Sequence, residues 1–161
     1  MNKRINLIIS NEKYQEYLKK NAEYEDKRGF CTHDLDHFLD TARIGYILNL
    51  EKGLGIPKDI IYGAALLHDI GKWKQYKDNI SHEIASVSLS GEILEKAEYS
   101  SDEITKIQTA ILSHRDSAVE EEDTLAGILF VADKLSRKCF ECVMEKECDW
   151  SEARKNKQIT Y

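Results

Sequence analysis

Along the chain, apolar residues return every three or four positions, the spacing of one buried face of an α-helix. Ser10 or Asn11 caps a first expected helix with Tyr14, Tyr17 and Leu18 on one stripe, before a polar run from Glu23 to Arg28. Thr32 is expected to cap a long second helix. Its Leu35, Leu39, Ala42, Tyr46 and Leu50 recur at helical spacing, and Gly53 and Gly55 end it. Pro57 opens a third, in which Ile60, Ile61, Ala64, Leu66 and Leu67 are apolar nearly all round, the pattern of a helix at the centre of a bundle. Gly71 closes it. A polar link from Lys72 to Asn79 leads to Ser81, the expected cap of a fourth helix running to about Glu98. Ser101 and Glu103 open a fifth with Ile104, Ile107, Ile111 and Leu112. The acidic run Glu120 to Asp123 reads as a solvated loop and helix N-terminus. A sixth helix carries Leu125, Ile128, Leu129, Ala132 and Leu135, and the charged tail after Cys148 is expected to be loosely attached. No repeat or linker divides the chain, so the pattern predicts an all-α, single-domain helical bundle.

Composition narrows the picture. A chain of 161 residues with 42% apolar content can fill one core. Eight glycines and one proline leave little turn chemistry for a many-stranded β-fold. With 23 Lys+Arg against 29 Asp+Glu the net charge is −6, which argues against binding nucleic acid through its phosphates but allows one small phosphorylated ligand. The basic and then apolar start, Met1 to Ile9, is too short for a signal core, and no run reaches membrane-spanning length. The expectation is a cytoplasmic protein whose four cysteines are thiols or metal ligands.

Chemistry enters where polar groups occupy apolar surroundings. His68-Asp69 ends the most apolar helix, and Asp133 interrupts Ile128-Leu129-Phe130-Val131-Ala132. Burying an imidazole and carboxylates there costs several kcal/mol unless they are paired, and a cation partners both at once. His37 falls on the inward side of the second helix, His82 opens the fourth and His114 closes the fifth. A lone inward histidine is an ordinary hydrogen-bonded core residue. Four histidines and two aspartates on five helices point instead to a metal at the bundle's centre.

The order His37, His68-Asp69, Asp133 resembles the HD superfamily of metal-dependent phosphohydrolases, helical bundles built around a metal. Asp36-His37-Phe38, Ala65-Leu66-Leu67-His68-Asp69-Ile70-Gly71-Lys72 and Val131-Ala132-Asp133-Lys134 carry the likeness, over about residues 30 to 137. It divides the chain into a lead-in (1–29), the HD core (30–137) and a cysteine-containing extension with its tail (138–161). His82 and His114 stand where the binuclear branch has two extra ligands, a branch similar to the diadenosine-tetraphosphate-hydrolase group and the cyclic-dinucleotide phosphodiesterases. The Gly-Tyr-Pro motif of the latter is absent, and Leu135-Ser136-Arg137 replaces the Glu-Pro usual in the former. Substrate identity is therefore not carried over.

The resemblance implies one ion on His37, His68, Asp69 and Asp133 and a second on His82 and His114, with Asp69 bridging. Nitrogen and carboxylate donors favour iron or manganese, with nickel, cobalt, magnesium or zinc as alternatives. Two ions sharing a water lower its pKa toward ~7 and supply hydroxide for in-line attack on phosphorus. Asp69, Lys72 and Arg43 are the expected catalytic groups. Lys72, Arg43, Lys134, Arg115 and Tyr76, the last in the loop after Lys72, are expected to hold a nucleotide or similar small phosphorylated substrate, with Arg137 a weaker candidate. A non-catalytic regulatory domain and a di-iron oxygenase are the alternatives, and homodimerisation is left open. Cys139 and Cys142, with Cys148 nearby, either hold zinc in a site completed by Cys31 or His33, or the cysteines pack as small apolar groups. Packing is preferred, because a regular helix parts Cys139 from Cys142 by nearly a turn.

Overall fold

The computed structural model describes residues 2–161, and Met1, in the expected lead-in, lies outside them. Eight α-helices are present among the described residues, and no strand: α1 (Lys3–Ile9), α2 (Glu12–Glu25), α3 (Leu35–Glu51), α4 (Lys58–Leu67), α5 (Lys72–Asp78), α6 (His82–Lys96), α7 (Ser101–Ser113) and α8 (Leu125–Leu135). Single 3-10 turns cover Ser117–Val119 and Cys139–Glu141. No helix among the described residues is long and apolar enough to cross a membrane.

The all-α bundle is organised as the hydrophobic spacing requires. The helix α4, apolar nearly all round after its first turn, lies in the middle, against α1, α3, α7 and α8. Its Ala64, Ala65, Leu66 and Leu67 are buried with Phe38, Ile93, Ile107, Ile111 and Leu129 in the main core. Burying each large side chain there contributes about 1.5–3 kcal/mol. A second cluster, Ile44, Leu48, Ile128 and Ala132, joins α3 to α8.

Caps follow residue chemistry, with two shifts. Asn11 caps α2, and Ser100 with Glu103 forms a reciprocal capping box on α7. Asp34, not Thr32, caps α3: its Oδ1 accepts from the His37 N–H at 2.9 Å, while the Thr32 hydroxyl donates to its Oδ2 at 2.6 Å. Ser81 precedes α6 without a side-chain capping bond.

Two helices depart from the expected pattern. The opening segment forms α1, which buries Ile5 and Ile8 and pairs Arg4 with Asp59 and Glu103. The polar link forms α5, in which only Trp73 is buried. Tertiary contact holds α5 in place of an apolar stripe: the buried Asn21 side chain accepts from the Trp73 N–H at 2.8 Å and donates to the Asp69 carbonyl at 3.0 Å. The tail is likewise tied down, against expectation. Asn156 donates to the Lys134 and Arg137 carbonyls at 2.6 and 2.9 Å, and Lys155 is buried against Glu145 and Glu152.

The turn from α4 into α5 touches α6 directly. The Gly71 N–H donates to Ser86 Oγ at 3.0 Å, and a Cβ on Gly71 would lie 2.6 Å from the Ser86 nitrogen. Only glycine fits this approach.

Candidate metal centre

Helix ends deliver the polar groups. His37 lies in the first turn of α3, His68 caps the C-terminus of α4, and Asp69 follows in the turn. His82 is the first residue of α6, His114 caps the C-terminus of α7, and Asp133 lies near the end of α8. His37, His68, Asp69 and Asp133 each offer a ligand atom, all within 4.8 Å of one another, and Asp69, His82 and His114 form a second such group. Asp69 belongs to both. Its Oδ2 lies 3.2 Å from His68 Nε2, and its Oδ1 lies 3.1 Å from His82 Nε2 and 3.5 Å from His114 Nε2. Asp133 Oδ1 stands 3.4 Å from His37 Nε2 and 3.5 Å from His68 Nε2.

The outer nitrogens fix how the rings face. His68 Nδ1 is 2.7 Å from the Ala65 carbonyl, His114 Nδ1 2.5 Å from the Ile111 carbonyl and His82 Nδ1 2.6 Å from Gln75 Oε1. His37 Nδ1 lies 3.0 Å from Ser136 Oγ, whose own proton goes to the Asp133 carbonyl. These acceptors take a proton from each Nδ1 and leave Nε2 to face inward, the arrangement of metal-binding imidazoles. His82 Nε2 and His114 Nε2 stand 3.3 Å apart, where two lone pairs repel unless something positive lies between. His68 Nε2, Asp69 Oδ1 and Asp133 Oδ1 are buried without a hydrogen-bond partner. Orphaned acceptors beside such nitrogens are what a divalent cation satisfies, so the donor set fits one.

Electrostatics agree. Burial works against both aspartates, yet His68 and the other imidazoles hold Asp69 well below the usual carboxylate range; His37 and His68 do the same for Asp133. Burial also opposes charge on His68, but the two aspartates outweigh it and push the imidazole up to about 10. Burial, reinforced by Arg137, pushes His37 down to about 4, and burial pushes His82 down to about 3. The two carboxylates thus call for positive charge, while His37 and His82 remain neutral donors.

The surrounding cations divide. Lys72 Nζ stands 3.2 Å from His82 Nδ1, and burial lowers its pKa. Lys134 Nζ lies 3.3 Å from the His114 carbonyl and 3.4 Å from Asp133 Oδ2. Arg115 is exposed at the rim, close enough for its charge to act on Lys72 and His82. Tyr76 is in α5 and not in a loop; its hydroxyl donates to Glu25 at 2.9 Å. Arg43 is not brought to the centre. It is exposed on the outer side of α3, pairs with Asp40 at 3.2 Å and lines a hollow with Ile47, Leu135 and Ile159.

Glu25 and Asn21 escape the sequence pattern, and His33 and Arg137 stand closer to the centre than it suggests. His33 points Nε2 at Asp69 Oδ2, 3.5 Å away, while its Nδ1 bonds to buried Glu25. Glu25 and Asn21 belong to α2, in or beside a run that reads as polar surface. Arg137, a weaker candidate by sequence, is buried and donates to the Thr32 carbonyl at 2.9 Å, while its other guanidinium nitrogen stands 2.9 Å from His37 Nε2, beside the ligand position. A fifth histidine close to the metal-type motif was the one available signal.

Comparison with known proteins places this geometry. The family model of the HD domain matches residues 34–138. An "Uncharacterized protein" of Clostridium beijerinckii is 46% identical over 158 residues, covering 98% of this chain and 99% of its own. Ribonuclease Y of Mycoplasma mycoides subsp. mycoides is 32% identical over 121 residues, 75% of this chain and 22% of that protein. Ribonuclease Y of Mycoplasma capricolum is 31% identical over the same length and shares. This chain therefore spans about a fifth of those two enzymes. No solved structure matches.

Proposed function

The chain belongs to the HD domain family, which is one of metal-dependent phosphohydrolases, and from that premise we propose that it hydrolyses a phosphoester or phosphoanhydride bond of a nucleotide or similar small phosphorylated molecule. One observation carries the reading: two ligand groups share Asp69, and their orphaned acceptors converge. His37, His68, Asp69 and Asp133 would hold one ion and His82 and His114 a second, with Asp69 common to both; iron or manganese suits these donors. Bound there, divalent ions supply an activated water and neutralise charge on phosphoryl oxygens.

The chain's own residues do the rest. His33 aims Nε2 at the centre and is anchored through Nδ1 by Glu25, a pair fit to take a proton from water or deliver one to a leaving oxygen. A pocket of about 260 Å³ opens beside it, with Arg28, Lys72, Tyr76 and Arg137 on its walls. Arg28, Lys72 and Arg137 receive the phosphate, and Lys134 steadies Asp133 from the other side. Arg43, on the far face of α3, takes no part.

A second substrate class rests on the likeness to ribonuclease Y, which makes an RNA phosphodiester worth testing beside nucleotides. The net charge of −6 favours the small substrate. The test is a hydrolysis screen over nucleoside mono-, di- and triphosphates, dinucleoside polyphosphates and a short RNA. It is run with iron, manganese, nickel or magnesium, with the His68→Ala plus Asp69→Ala chain as blank. Phosphate released from a small nucleotide by the native chain alone is the expected result. Equal release by the double variant would move the chemistry elsewhere.

A further inference from the structure

All four cysteines of the chain line one pocket. Cys31 reaches it from the loop ahead of α3, while Cys139, Cys142 and Cys148 arrive from the C-terminal segment. All are free thiols, and none is buried: Cys31 is exposed and the other three are half-buried. A cysteine packed as a small apolar group is among the most buried of residues, so packing does not explain these four. Nor does a regular helix part Cys139 from Cys142. Residues Cys139–Glu141 make one 3-10 turn, the Cys142 N–H donates to the Cys139 carbonyl at 3.3 Å, and Cys142 itself is extended, with φ −75° and ψ 122°. That turn brings the two thiols of a Cys-x2-Cys pair round to one side, as a zinc-binding knuckle needs.

We propose that Cys31, Cys139, Cys142 and Cys148 bind one zinc ion as thiolates, fastening the C-terminal segment to the loop ahead of α3. Zinc takes four thiolates tetrahedrally, with Zn–S near ~2.3 Å. No three of the thiols stand within 4.8 Å of one another among the described residues, so the ion closes the cluster by drawing them in. The backbone from Cys142 onward is free of helix and can follow. Each thiol surrenders its proton to solvent, and four thiolates around a divalent ion leave a net charge of −2. Lys155, a cation the proposed hydrolysis does not use, lines the pocket with the four thiols, and Glu145 and Asp149 share its walls. The fastener also bears on the helical centre. Arg137 holds the carbonyl of Thr32, the neighbour of Cys31, with one arm of its guanidinium, and the other arm stands beside His37.

The test uses the full chain, purified under reducing conditions and loaded with zinc alone. Zinc per chain and thiol alkylation are measured in the native protein, in His68→Ala plus Asp69→Ala, and in Cys139→Ser plus Cys142→Ser. The chain lacking His68 and Asp69 is expected to keep one zinc, with its thiols protected until a chelator is added. Cobalt in place of zinc in that chain should give the intense near-ultraviolet absorption of thiolate-to-cobalt charge transfer. The cysteine pair variant should lose this zinc and keep the metal of the helical centre. Freely reacting thiols in the zinc-loaded native chain, or cobalt without the charge-transfer band, would overturn the proposal, as would a coloured iron–sulfur cluster in the purified protein. Neither readout needs the cysteine variant to fold or the chain to hydrolyse anything.

Discussion

At the helical centre, six side chains are delivered by helices whose caps and outer hydrogen bonds are already made, so the donor atoms converge within 4.8 Å in two groups. Beyond α8 the chain brings three thiols to its pocket through a 3-10 turn and extended backbone, and they stop short of ligand spacing. The first region is organised by burial of apolar faces and has its shape before any ion binds. The second buries little and depends on point contacts, such as the Asn156 clasp on the Lys134 and Arg137 carbonyls. An ion at the centre exploits order, whereas an ion at the thiols would create it.

Substitutions can break or sharpen this contrast. His33→Gln should lower kcat about 10²-fold with metal content unchanged, because it removes a proton carrier and no ligand. Steady-state hydrolysis and metal analysis on the same sample decide this. Asn21→Ala should destabilise the fold by about 2–3 kcal/mol in urea unfolding, since it orphans the Trp73 N–H and loosens α5 from the His68-Asp69 turn. Asn156→Ala should cost about 1 kcal/mol and expose the tail to limited proteolysis while the centre keeps its metal. Equal loss of metal in the two asparagine variants would erase the distinction between the regions.

The acid limb of stability offers a finer probe. Burial raises the Glu25 carboxyl, but hydrogen bonds and charge from His33 outweigh it and lower the folded value below the ordinary one. A lowered carboxyl contributes stability that is complete above its unfolded pKa and disappears as pH falls through the folded one. Glu25→Gln should therefore flatten the fall in stability on the acid side and leave the neutral region's slope unchanged, measured by urea midpoints across pH. Arg43→Ala should change neither kcat nor KM, since its guanidinium lies on the outer face of α3 with Asp40.

The centre was readable in the sequence where polar residues broke an apolar pattern. His68, Asp69 and Asp133 stand out because Leu66, Leu67, Ile70 and Ile128 to Ala132 surround them. Glu25 and Asn21 lie among lysines, glutamates and tyrosines, and only the packing of α2 on α5 puts them indoors. The helix α5 buries a single side chain, so it has no periodicity to detect. Arg43 misled for the opposite reason. It follows His37 by six residues, which turns it to the other side of α3.

The contact at Gly71 reaches further than its size suggests. With the α4–α5 turn seated backbone to backbone on α6, the gap between the first ligand group and His82 is gauged by one missing methyl group. An alanine there would prise the two halves of the centre apart without altering any metal-binding side chain, so a residue with no functional atoms of its own sets the tolerance of the whole assembly.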